Sequence, residues 1–176
     1  MNSAQKVLLI YYVASLAITL VPLPWWYYNV GGIFKVLDSP FQFSSELLGS
    51  YLIISDLINI LLNAFRIYVA VNLVYGLAIL LLRKEVVRYS TMAWLPVFYI
   101  IDPVLIYLIL NYLVPSILGE SISYPLVIIG SESFSTTYKN ATIVMTIQSY
   151  PTTFYWLTLI SPLTYLSFLI LNHKPK

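Results

Sequence analysis

Asp56, Asn59, Asn63 and Arg66 recur at the spacing of one helical face. At 100° per residue they fall within about 80° of one another, a polar stripe in an otherwise apolar stretch. Ionisable groups inside a membrane are candidates for an ion or proton path. The competing account is a wet outer half of the helix, facing solvent or the external loops. Arg66 and Asp102 make a second candidate. On neighbouring spans they would meet as an ion pair, with Asn72 joining the network. Pairing would offset much of the several kcal/mol that a lone charge costs in lipid. Such a pair would fix the bundle, relay protons or touch a partner subunit. Tyr107, Asn111 and Tyr112 could line an internal polar site on the same span as Asp102. Asn140-Ala141-Thr142 is the one Asn-x-Ser/Thr sequon and makes Asn140 the candidate glycosylation site.

What the chain lacks is equally informative. It has no Cys and a single His, His173, in a basic tail. Disulfides, thiolate metal sites and iron–sulfur clusters are excluded in this chain. So are a haem held by two His ligands and a multi-His metal site. No metal, cofactor or catalytic constellation is expected, and most redox chemistry would need another subunit. A net charge of +2 is too small to argue for nucleic acid.

The elements that carry these residues must lie in a membrane. Hydrophobic residues make up 60% of the chain, charged residues 9%, and the mean hydropathy is +0.84. A soluble domain carries about 25% charged residues. Four spans are expected, at about 7–24, 62–82, 92–117 and 152–171. The first run could be a signal peptide, but it ends in Val21-Pro22-Leu23-Pro24 without a small-x-small site, which favours an uncleaved span. Trp25, Trp26, Tyr27 and Tyr28 follow as an aromatic belt would. The stretch Glu46–Arg88 is too long for one span. Its outer part, 46–60, reads as an amphipathic helix capped by Ser44 or Ser45, with a bend at Gly49 or Asn59. Pro96, Asp102-Pro103 and Pro115 predict a kinked third span.

Two loops, 25–61 and 118–151, separate these spans on one side. In the first, strands at about 25–30 and 33–38 flank Gly31-Gly32, a hairpin signal, and Ser39-Pro40 then breaks the structure. In the second, 122–129 and 138–150 read as strands around the Ser/Thr-rich turn Gly130–Thr137. Isolated hairpins are marginal in water, so the two are expected to join in one small antiparallel sheet. Lys6, the Arg83/Lys84/Arg88 group and Lys174/Lys176 fall on the opposite side. The positive-inside rule makes that side cytoplasmic, with both termini in it, and leaves the sheet and the sequon outside.

The sequence therefore predicts an all-α membrane bundle of four transmembrane helices with a small extracellular antiparallel β-sheet. Four spans, internal termini, a Trp-bearing first external loop and an external sheet resemble the claudin-type tetraspan layout. The family's external Trp-Gly-Leu-Trp…Cys…Cys motif is absent, since the loop has Trp25-Trp26 and no Cys. No family residue is carried over. The Ile/Leu/Tyr/Ser-rich, Cys-free composition resembles membrane proteins of thermophilic archaea. The expected role is a non-catalytic subunit of a larger plasma-membrane complex, an accessory or scaffold of respiratory type. The alternatives are a small oligomeric transporter or channel component using Asp56, Arg66 and Asp102, and a quinone-site subunit of a membrane oxidoreductase. The expected partners are the lipid bilayer and other membrane subunits or further copies of this chain.

Overall fold

Helix α1, Ser3–Leu20, opens on a capping box. Asn2 accepts from the Gln5 amide at 2.8 Å, and Gln5 accepts in return from the Asn2 amide at 2.9 Å. Pro22 and Pro24 end it. The computed structural model describes residues 1–87, 91–108, 112–113, 116, 129–138 and 141–173. The remaining helices are α2 (Ile54–Leu82), α3 (Thr91–Phe98), α4 (Asp102–Leu108), α5 (Thr153–Thr158) and α6 (Ile160–Asn172). Three helical stretches are long and apolar enough to cross a membrane: Ser3–Leu20, Ile54–Leu82 and Thr153–Asn172. Met92–Leu105 is apolar but shorter.

Proline interrupts the Met92–Leu105 segment, as expected, and also the last segment, where no interruption is expected. Pro96 lies inside α3, a 3-10 turn follows at Tyr99–Ile101, and Pro103 then occupies the first turn of α4. Pro162 cannot donate to Thr158, and the last segment breaks between α5 and α6. Tyr155 donates its hydroxyl to the Pro96 carbonyl at 2.8 Å, tying the two interrupted segments together.

The packing order is less expected. Helix α1 lies between α2 and α6, and α3 packs on α6. Small groups allow these approaches: the Ser15 and Ser161 hydroxyls meet at 2.9 Å, and Tyr12 covers Gly76. A Cβ at Gly76 would stand 2.6 Å from the Tyr12 hydroxyl oxygen. The chain leaving α2 crosses the end of α1, where Gln5 donates to the Lys84 carbonyl and Tyr12 to the Val87 carbonyl. That crossing carries α3 to the far side of α1, so α2 and α3 barely touch.

Six antiparallel strands form one sheet: β1 (Trp26–Val30), β2 (Phe34–Ser39), β3 (Gln42–Leu47), β4 (Ser50–Tyr51), β5 (Gly130–Tyr138) and β6 (Ala141–Pro151). Their order is β4-β3-β2-β1-β6-β5, so the β1–β6 pairing joins the two loops as expected. Gly31 and Gly32 take φ of 56° and 72° in the first turn, a conformation that costs glycine little.

Three expectations fail in these loops. The amphipathic helix over 46–60, capped by Ser44 or Ser45, does not form: 42–47 is β3, and α2 starts at Ile54 and runs unbent past Asn59. Pro40 turns the chain rather than ending the sheet. Ser39 Oγ accepts from the Phe41 and Gln42 amides at 3.3 and 2.9 Å, closing a two-residue loop. Leu48 and Gly49, both at positive φ, close the next hairpin. In the second loop, Gly130–Thr137 is strand rather than turn, pairing with β6 along its length. Residues 117–128, the stretch that holds most of the other strand expected there, lie outside the described residues, as do Arg88, Asn111, Asn140, Lys174 and Lys176.

Candidate functional site

Residues directly opposite one another in an antiparallel sheet share a face. Trp26 and Tyr28 therefore share one with Val36 and Asp38 of β2, Phe43 and Ser45 of β3, and Ile147 and Ser149 of β6. This face meets the end of the bundle. Trp26 donates its indole N–H to Ser149 Oγ at 2.9 Å and packs edge-on against Tyr155. Phe41, at the β2–β3 tip, stacks on Phe65 of α2. Trp25 stands at the centre, against Phe41, Tyr99 and Tyr155. Trp25 and Trp26 are 0% and 1% exposed, so they are the core of the joint and not an interfacial belt.

Of the polar stripe on α2, Asn59 binds into this joint, and Ser55 beside the stripe joins it. Asn59 donates to the Phe43 carbonyl and accepts from the Phe43 amide, each at 2.8 Å. Ser55 accepts from the Ser45 amide at 2.9 Å and bonds its hydroxyl at 2.8 Å. Asp56 accepts from the Tyr51 hydroxyl at 2.8 Å on the exposed side. Asn63 is exposed. Arg66 donates to the Leu20 carbonyl at the end of α1. Asn72 donates to the Tyr68 carbonyl one turn back.

Arg66 and Asp102 do not pair. The one ion pair among the described residues joins Lys35 and Glu46, at 3.9 Å on the outer face of the sheet. Their expected meeting required α2 and α3 to be neighbours, and α1 stands between. Nor does Asn72 link them. Tyr107 is half-buried and Tyr112 is 65% exposed, while Asn111 lies outside the described residues.

Asp102 instead faces Asp38. The two carboxyl groups lie within hydrogen-bonding reach, and the Tyr99 hydroxyl lies close to Asp38 without completing a hydrogen bond. Among the described residues, the buried Asp102 Oδ2, Tyr99 Oη and Trp25 Nε1 have no hydrogen-bond partner. The Trp25 amide donates to the Asp38 carbonyl at 2.7 Å and holds β2 over the pair. Burial raises the Asp38 pKa to about 6, against the lowering effects of Tyr99, Asp102 and the Ser39 backbone. By contrast, the 180 Å³ hollow walled by Trp94, Val97, Pro162 and Leu166 is apolar.

Asp38 was missed because β2 was read as a surface hairpin strand. The signal was present: Phe34, Val36 and Asp38 alternate onto one face, so an apolar inner face places Asp38 inside. No family model, curated protein or solved structure matches the chain.

Proposed function

We propose that this chain is a non-catalytic accessory or scaffold subunit of a membrane complex. It crosses the membrane four times in a claudin-like layout, with the sheet outside and both termini in the cytoplasm. Met92–Leu105 forms the described part of the third crossing.

The carrying observation is the length of α2 and what its outer part exposes. Its 29 residues extend about 43 Å against a hydrocarbon core of ~30 Å. If 63–82 fill that core, the outer turns stand above it beside the sheet. There Ile53, Leu57, Ile60 and Leu61 are 60–82% exposed. An apolar wall beyond lipid depth is the mark of a surface covered by another protein. The hydrogen bonds from Asn59 and Ser55 hold this wall and the sheet as one platform.

The test is gentle extraction followed by native mass determination. Co-purifying chains in fixed ratio are expected. A homo-oligomer would turn the reading to a transporter component, and bound quinone to an oxidoreductase subunit. Because the chain has no Cys, Lys6→Cys and Lys35→Cys report sidedness cleanly. An impermeant thiol reagent added to intact cells should label only Lys35→Cys. Labelling of Lys6→Cys alone would invert the topology.

A further inference from the structure

We propose that Asp38 and Asp102 form a proton-binding site, one proton held between the two carboxyl groups, that latches the sheet onto the third membrane segment. Ionised carboxylates only accept hydrogen bonds. Two half-buried carboxylates in contact resist both being charged, and a shared proton is the simplest group that joins them. Among the described residues the buried Asp102 Oδ2 meets no donor.

Among the described residues, the neighbours leave no other source of compensation. The 3-10 turn presents Tyr99, α4 presents Asp102 itself, and β1 places Trp26 directly opposite Asp38. On the other side β3 places Phe43 opposite. The nearby basic residues are committed elsewhere, Lys35 to Glu46 and Arg66 to the Leu20 carbonyl. Neither Asp38 nor Asp102 has a cationic partner among the described residues.

The site makes the joint sensitive to pH. With one proton the pair carries a single negative charge and bridges β2 to α4. Loss of that proton to water leaves two carboxylates facing each other, and their repulsion opens the seam. Burial, which raises the Asp38 pKa to about 6, keeps a proton on the pair at pH values where exposed carboxylates have lost theirs. This inference does not depend on the accessory-subunit reading: it concerns a bound proton, whatever complex the chain joins.

Infrared spectroscopy of the full chain in vesicles, titrated from about pH 5 to about pH 9, tests it. The wild type should show a protonated carboxylic acid band at about pH 5 that disappears as pH rises toward about 9. Asp38→Asn and Asp102→Asn should each lose the band while keeping the fold, because an amide can donate where the shared proton stood. Asp56→Asn should keep it. Absence of the band from wild type would overturn the proposal, as would its survival in Asp102→Asn. Displacement of the band by added sodium or calcium at constant pH would also overturn it, assigning the pair to a cation. The wild-type titration decides even if a variant fails to fold.

Discussion

At the seam between the sheet and α2, Asn59 satisfies both backbone groups of Phe43, and Ser55 meets Ser45 through amide and hydroxyl. At the seam with the third segment, three buried polar atoms on Trp25, Tyr99 and Asp102 have no hydrogen-bond partner, and two acids face each other. Both seams hold the same sheet to the same bundle. Neutral, completed hydrogen bonds make the first indifferent to pH. Incomplete ones, around an acid pair, make the second conditional. A platform fixed along one edge and latched along another can transmit a local protonation to its whole outer surface.

The predictions that probe this contrast run from large to small. Trp25→Ala removes the side chain on which the joint converges and should cost about 3–5 kcal/mol in unfolding measurements. A loss below about 1 kcal/mol would mean that the seams do not converge there. Asn59→Leu leaves the Phe43 amide and carbonyl unpaired and should cost about 2 kcal/mol by the same measurement. That cost should be equal at acidic and neutral pH, and a pH-dependent cost would merge the two seams.

Asp38→Asn should instead change the pH profile. In the fold Asp38 ionises near 6, against ~3.9 for a free aspartate. Between those values the folded chain holds a proton that the unfolded chain has released. Its contribution is therefore complete below about pH 4 and is lost as pH rises through about 6. Wild-type stability should fall across that window by about 3 kcal/mol. Asp38→Asn should flatten the fall; an unchanged slope would place the titrating group elsewhere. Leu48→Asn lies away from both seams and relieves a leucine at φ 51°. It should stabilise the chain by about 0.5–1 kcal/mol at every pH, and a destabilisation would show that Leu48 packs.

Local signals carried much of this architecture. Gly31-Gly32 marked a hairpin, alternation at Ile143, Met145 and Ile147 marked β6, and Pro96 and Pro103 marked the interrupted third segment. The pairing of the two loops followed from the instability of isolated hairpins. The failures were also physical. Ser44-Ser45-Glu46 before an apolar run looks like a helix start, yet pairing with β2 outweighs that local preference. Pro40 reads as a breaker only until Ser39 is seen closing a turn over it. The Arg66–Asp102 expectation assumed that a short loop makes neighbours. The placement of α1 between them depends on Tyr12, Gly76 and Ser15 acting together, which no local window reveals. Asp38 could have been found by asking which face of β2 was apolar.

Hydrogen exchange of the wild-type chain at about pH 5 and about pH 8, corrected for intrinsic rates, tests the contrast most directly. Protection of the Trp25 amide and of the 99–102 turn should fall at the higher pH, while protection at Phe43 and Ser45 stays constant. Equal loss at both seams, or none at either, would contradict the account.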